Sequence, residues 1–403
     1  MGNAAIPASV SRSVPFEMPP VAVDAYALVS PFGSADQTFE ALLDQRWAFT
    51  CLEEGAAIRN CLAAVIPRDL GDTRDPGSWQ RFLGISAMRD AIGDRLDELR
   101  ERQTRVSFIF STSFGHLLDA SREEAMSTWA KDCLFDLGFD ANPIVVGSGC
   151  SSSADGIAVA AAMLVDGAAD VAVVVAVDIV TRTKRVAHSK LGTMTDELPR
   201  PFDLQRNGML LGEAATAIIL RRSCPGETSE GELVGIGSSN DAYSLTAPDP
   251  TGFAGRLAIE RALGSAKLIS QDIGVYYAHG TGTVLNDALE ASIIADLFAD
   301  NPSLVVVGTK GALGHSLGAC GALEFVLLLR MLRDQKVPAT VGTARAMETI
   351  SNRLAQISPE KRELRYGLTM TLGFGGFNTA LIARAMPCPS GNAPEAVGPG
   401  RAK

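Results

Sequence analysis

Short apolar runs alternate with helix-period segments along most of this chain. Val21–Val29 reads as an opening strand, closed by Ser30-Pro31-Phe32-Gly33, and Asp36–Gln45 as a helix. Residues 66–80, rich in Pro, Asp and Gly, read as surface loops. A helix is expected over Ile85–Arg100, a strand over Arg105–Phe110 and a helix over Ala120–Phe135. Pro143–Val146 then reads as a buried strand. Ser153–Val165 reads as a helix, because Ile157, Ala160, Ala161 and Leu164 recur at helical spacing. Asp170–Val177 is apolar enough to be covered on both faces. Strand, helix, strand in this order imply a right-handed parallel crossover. Residues 181–210 are polar and irregular, a length at which loops tend to be functional. A strand at Glu213–Leu220 and a turn-rich linker at Pro225–Glu232 follow.

The same order then returns. Gly255–Ala266, Asp287–Phe298 and the strongly apolar Gly321–Asp334 read as helices, Gly274–Ala278 and Leu304–Val307 as strands. Tyr366–Thr371 and Thr379–Arg384 read as paired strands around Gly373-Phe374-Gly375-Gly376. The expectation is an α/β chain of two like halves, residues 21–230 and 231–386. A loose leader (1–20) and a Pro- and Gly-rich tail (387–403) flank them. No residue-level repeat accompanies the duplication, so pattern alone carries it.

Composition narrows the function classes. A net charge of −10 argues against a general nucleic-acid or anionic-membrane surface. Arg182-Thr183-Lys184-Arg185 is one candidate basic patch and reads first as a solvated loop. The longest apolar run, Val171–Val177, falls well short of the ~20 residues that span a bilayer. The N-terminus lacks a basic region followed by an apolar one, so no signal peptide is expected. Seven scattered cysteines without a C-x-x-C pair fit a reducing, cytoplasmic setting, with neither a disulfide framework nor a zinc knuckle.

Candidate chemistry centres on Cys150. Gly147-Ser148-Gly149-Cys150 joins a strand to a helix, and a helix start favours a thiolate over a thiol. A lone cysteine is more often a small apolar core residue. Of the four histidines (116, 188, 279 and 315), however, His279 and His315 follow apolar strands in glycine-rich loops. With Cys150 at a third strand end, they form a constellation. Gly314-His315-Ser316-Leu317-Gly318 matches the G-x-S-x-G elbow of serine hydrolases, but no histidine follows Ser316. The 373–376 glycines do not open a helix and are no dinucleotide fingerprint. There is no phosphate-binding loop and no histidine pair at metal-ligand spacing, so no metal is expected.

Taken together, Cys150 in its strand–turn–helix, His279-Gly-Thr-Gly-Thr283, Lys310 with Gly314-His315, and Gly373-Phe-Gly-Gly376 resemble the β-ketoacyl-[acyl carrier protein] synthases. Arg200-Pro201-Phe202-Asp203 and the 29–33 segment add to the likeness, which covers roughly residues 21–385. The two-histidine pattern resembles the elongating type. The resemblance implies a thiolase-like fold, layered α-β-α-β-α, and a homodimer or related heterodimer. It implies that Cys150 accepts an acyl group and that His279 and His315 meet the thioester carbonyl of a malonyl unit. The backbone N–H groups of Cys150 and Phe374 would form an oxyanion hole, and Lys310 with Glu324 a buried charge pair. Thr281 and Thr283 would bind the phosphopantetheine arm of an acyl carrier protein, with no separate cofactor.

Four positions depart from the pattern: Asn207, Ala214, Gly311 and Phe377. Phe377 beside the reactive centre either reshapes an acyl pocket or turns into the core. The departures leave two alternatives. One is an acyltransferase that passes the acyl group on without decarboxylation. The other, which an intact Cys150 argues against, is a non-catalytic partner subunit.

Overall fold

A computed structural model describes residues 17–52, 57–68, 75–101, 105–120, 124–356 and 363–386. Most of the expected leader and all of the tail from residue 387 lie outside the described residues. The first half runs β1 (Val21–Val29), α1 (Ala35–Leu43), a short hairpin β2 (Thr50–Cys51) and β3 (Leu62–Ala63), then α2 (Pro76–Ile92) and α3 (Leu96–Glu101). It continues through β4 (Val106–Ser111), α4 (Thr128–Asp136), β5 (Ile144–Val146), α5 (Ser152–Val165), β6 (Val171–Asp178), α6 (Arg182–Lys190) and β7 (Ala214–Arg222). The second half runs β8 (Gly231–Asn240), α7 (Phe253–Ala266), β9 (Ile273–Tyr277), α8 (Val284–Leu297) and β10 (Val305–Val307). It closes with α9 (Lys310–Leu313), α10 (Cys320–Asp334), β11 (Tyr366–Leu372) and β12 (Phe377–Arg384).

The sheet topology repeats one strand order in each half. The order is β10-β9-β11-β12-β8-β1-β7-β6-β4-β5, ten strands in all. Counted outward from the central pair, each half has its first strand, then its fifth, fourth, second and third. Directions match as well: β1/β7 and β7/β6 are antiparallel, β6/β4 and β4/β5 parallel. Their counterparts β8/β12, β12/β11, β11/β9 and β9/β10 repeat this pattern. Three residue pairs, Val21↔Leu233 to Val23↔Gly231, stitch the halves together.

Three apolar clusters define the layers. The largest lies between the half-sheets, where Ile157, Ala160 and Leu164 of α5 meet Ala322, Phe325 and Val326 of α10. A second packs α2 and α4 on the outer face of the first half, through Trp79, Leu83, Trp129 and Phe110. A third packs α7 and α8 on the outer face of the second, through Ile259, Ala262, Ile294 and Tyr276. Helix, sheet, helix, sheet, helix follow in that order. The two central helices enter side by side, and the Ser153 hydroxyl accepts the Ala322 N–H at 2.9 Å.

Several expectations are corrected. Pro143–Val146 is not a buried strand: β5 ends the sheet, and Ile144 is 38% exposed. Residues 181–210 are not uniformly irregular. Thr181 caps α6 by accepting the Lys184 N–H, and Lys184 and Arg185 are buried, so this stretch is neither a basic patch nor a solvated loop. The Pro225–Glu232 linker gives way to β8 at its last two residues. Within residues 66–80, Pro76 already opens α2 behind its Asp75 cap. Cysteine pairing also occurs. Cys51 and Cys61 form a disulfide, because the β2–β3 pairing sets Cys51 opposite Leu62, next to Cys61.

Candidate functional site

Cys150 lies in a 3-10 turn, Gly149–Ser151, that leads into α5. Gly149 makes the turn with φ +64°, a left-handed value that other residues rarely adopt. The turn is anchored by hydroxyls: Ser152 Oγ donates to the Gly149 carbonyl at 2.6 Å, and Ser151 Oγ to Asp155 Oδ2 at 2.8 Å. Thr379 of β12 also donates to Asp155, at 2.5 Å, tying the turn to the second half.

The three residues singled out on sequence converge. His315 Nε2 lies 3.2 Å from Cys150 Sγ. The His279 and His315 rings stand edge to face, 5.2 Å between centroids. All three line one cavity of about 310 Å³, together with Thr281, Thr283 and Phe374. Lys310 and Glu324 sit behind it as a buried ion pair, and Lys310 Nζ reaches His279 Nδ1 at 3.3 Å. An ammonium can only donate, so Nδ1 accepts and Nε2 carries the imidazole proton. Ser316 is buried and, among the described residues, does not line the cavity, which leaves the serine elbow without a site.

The electrostatics overturn one expectation. Burial pushes the Cys150 thiol up to about 11, against the pull of the Phe374 N–H and the Lys310 charge. Desolvation disfavours the sulfur anion, and the resting group is a thiol. Burial, then Lys310, holds both His279 and His315 well below the ordinary imidazole value, so both are neutral. Burial likewise raises Glu324 to about 7 even with Lys310 beside it. His279, Cys320 and Glu324 offer three ligand atoms within 4.8 Å. The Lys310 ammonium bonds two of the three residues and takes the place of an ion.

The second correction concerns Phe377. Its side chain is 42% exposed and is not among the described residues that line the cavity. It does not turn into the core, and among the described residues it stands outside the cavity wall. It opens β12 opposite Asn240 and lies over Gly375. Of the other departures, Asn207 lines the cavity and donates to Asp196 at 2.8 Å. Gly311 has no room for a side chain, since a Cβ there would meet the Val341 carbonyl at 1.9 Å.

Buried carboxylates position the histidine loop. Glu290 accepts the backbone N–H groups of His279 and Gly280 at 2.8 Å each. Asp287 accepts the Phe202 N–H at 2.7 Å and the Gly282 N–H at 3.1 Å. Asp178, ion-paired with Lys184, accepts the N–H of Ser113 and of Gly318 at 2.8 Å each. It thereby links the end of β4 to the turn after His315. Leu210 and Gly212 clamp His315 itself by backbone bonds of 2.8 and 2.9 Å. Sequence reading missed Glu290, Asp178 and Lys184. The available signal for Glu290 was its i, i+3 spacing from Asp287, directly after the His279 loop.

The chain matches known proteins in sequence and in fold. Residues 79–224 match the family model "Beta-ketoacyl synthase, N-terminal domain", and residues 230–344 match its C-terminal counterpart. A 3-oxoacyl-[acyl-carrier-protein] synthase 2 of Vibrio cholerae is 31% identical over 257 residues, 60% of this chain and 62% of that protein. A 3-oxoacyl-[acyl-carrier-protein] synthase homolog of Saccharomyces cerevisiae is 34% identical over 203 residues, 47% and 46% of the two chains. The aligned stretches thus span about half to three-fifths of these relatives. Among solved structures, a ketosynthase in complex with its chain length factor, from Xenorhabdus doucetiae, superposes with a TM-score of 0.77 at 25% identity, covering 91% of this chain and 98% of that one. A type II polyketide ketosynthase, solved with its acyl-carrier protein, superposes at 0.81 and 19% identity over 92% of this chain and 100% of that one, a likeness of fold.

Proposed function

The chain belongs to the β-ketoacyl synthase family, and on that premise we propose that it condenses an acyl group with a malonyl unit, both delivered as thioesters of an acyl carrier protein. The observation that carries this reading is the convergence of Cys150, His279 and His315 on one cavity, with the Phe374 N–H aimed at the sulfur.

The steps balance without a redox partner or a cofactor. The Cys150 thiol attacks the acyl thioester beside His315, whose Nε2 lies 3.2 Å from the sulfur; a C–S bond to Cys150 replaces the C–S bond to the carrier, and the thiol proton ends on the departing carrier thiolate. The tetrahedral oxyanion forms against the Phe374 N–H, a fixed donor of a kind worth about 3 kcal/mol. The malonyl thioester then loses CO₂, and its electrons collect on the thioester oxygen as an enolate. His279 supplies an N–H there through Nε2, and His315, with its proton on Nε2, supplies a second. The enolate carbon attacks the acyl-Cys150 carbonyl, a C–C bond replaces the C–S bond, and the sulfur leaves as a thiolate that takes one proton from solvent. Thr281 and Thr283, hydroxyl to hydroxyl at 2.9 Å on the cavity wall, face the incoming pantetheine arm. A carrier protein and a second subunit, identical or related, are the partners this reading requires.

The test pairs intact-protein mass spectrometry with release of labelled CO₂ from malonyl carrier. The wild-type protein should gain an acyl mass on Cys150 and release CO₂ with condensed product. Cys150→Ala should gain no mass and form no product. Acylation without any CO₂ release would replace this reading by plain acyl transfer.

A further inference from the structure

The cavity holds a third histidine that the proposed steps do not use. His188, on α6, lines it with Cys150, His279 and His315. Its ring lies over that of Phe374, centroids 6.1 Å apart and planes 27° apart. Phe374 is the residue whose N–H points at the sulfur, so His188 flanks the reacting centre. Leu191, Gly192 and Thr193 continue the same wall.

Two contacts place the ring protons. Thr193 Oγ1 lies 3.0 Å from His188 Nδ1 and 3.2 Å from the His188 carbonyl oxygen. A threonine hydroxyl has one proton to give, and a carbonyl can only accept. Both contacts are hydrogen bonds under one assignment: the hydroxyl donates to the carbonyl, and Nδ1–H donates to the hydroxyl. Nε2 is then bare. Burial first, then the Lys184 charge, lowers the ring's pKa to about 4, so Nε2 stays unprotonated at neutral pH. Among the described residues, no hydrogen bond to Nε2 is formed. The tie to Thr193 uses only Nδ1. An apolar side chain would pack on Phe374 equally well, but would put no acceptor on the cavity wall.

We propose that His188 Nε2 is a specificity-determining acceptor that favours thioesters presenting a hydrogen-bond donor beside Phe374. The inference rests on the ketosynthase reading and deepens it. Two parts of a carrier-borne substrate hold such a donor: a hydroxyl on the acyl chain, and an amide N–H of the pantetheine arm. Either makes one new N···H bond to the imidazole and leaves the chemistry at Cys150 unchanged.

The experiment separates the sources. Cys150 acylation rates are read by intact mass for hexanoyl and 3-hydroxyhexanoyl groups, each on the carrier protein and as the S-ethyl thioester, which has no amide. The wild-type protein is compared with His188→Leu, which keeps bulk, and His188→Gln, which keeps an acceptor. A hydroxyl source predicts that His188→Leu loses about tenfold on both 3-hydroxy donors and little on the plain ones. An amide source predicts the same loss on both carrier-borne donors and none on the S-ethyl esters. In either case His188→Gln should recover most of the rate. Equal rates for wild type and His188→Leu on all four donors, a uniform loss on all four, or His188→Gln behaving as His188→Leu would overturn the proposal. If wild-type Cys150 accepts none of the four, the ketosynthase reading itself fails, which is a different result.

Discussion

The half built from β1, β4, β5, β6 and β7 and the half built from β8 to β12 share one strand order, yet they hold their reactive groups by different means. In the first half the group is a thiol, set in a turn whose serine hydroxyls bond the Gly149 carbonyl and the Asp155 carboxylate, and burial keeps it protonated. In the second, the strand ends carry His279, Lys310 and His315. Buried carboxylates at 287, 290 and 324 hold that machinery, and burial keeps both imidazoles neutral. One fold therefore brings strand ends of both halves to a shared cavity. On the proposed reading, which half handles the acyl group and which the enolate is decided by the side chains at those strand ends. The comparison yields a division of labour: first-half changes should act on acylation, second-half changes on CO₂ release.

The largest break in that division is expected at Lys310. Lys310→Met removes the donor that fixes the His279 tautomer and leaves Glu324 buried without its partner. CO₂ release should fall by about 10²–10³-fold, the usual effect of losing a charge-stabilising donor. Acylation of Cys150, read by mass, should be retained. Stability in urea should fall by about 3–5 kcal/mol, as for a broken buried pair. Lys310→Met with Glu324→Leu should restore the stability and not the CO₂ release. Equal loss of acylation and CO₂ release in a folded single variant would mean that the halves do not divide the work.

This division was partly legible in the sequence. Cys150, His279, Lys310 and His315 stand out because each follows a short apolar run and sits among glycines, a local pattern. The Asp178–Lys184 pair, Glu290 and His188 do not stand out. A charged side chain reads as surface unless its partner is known, and the partners arrive through tertiary contact. Residues 181–190 show the failure plainly: their charges suggested a loop, whereas Lys184 finds Asp178 and the segment becomes α6. β8 was hidden for another reason. Gly235 and Gly237 interrupt its alternation, and they are required because a Cβ on Gly237 would lie 2.0 Å from the Ala258 carbonyl of α7. The thiol's protonation was misread because helix position is local, while desolvation is a property of the finished cavity.

A pH series sharpens the first-half side of the comparison. With the thiol raised to about 11, its anion grows roughly tenfold per pH unit at all lower pH values. Alkylation of Cys150 by iodoacetamide, followed by peptide mass spectrometry, should therefore climb steadily from pH 6 to pH 9 without a plateau. His279 and His315 are already neutral over this range, so the slope belongs to the sulfur. A plateau near pH 7 would mean that the helix start prevails over burial after all.

The smallest effect is expected at Phe377, on the second-half side. The ring opens β12 over Gly375, 42% exposed and outside the cavity. Phe377→Thr removes a phenyl group that water already reaches, so stability should move by no more than about 0.5 kcal/mol. Acylation rates across a series of acyl chain lengths should keep the wild-type order. The neighbouring Gly373–Gly376 backbone is fixed by bonds that do not involve the ring: Gly373 N–H to the Phe377 carbonyl at 2.7 Å and Gly375 N–H to the Leu245 carbonyl at 2.9 Å. The Phe374 N–H should therefore keep its aim at Cys150 in the variant. A changed chain-length preference would show that β12 shapes the acyl cavity, and that the second half recognises the acyl group as well as stabilising the enolate.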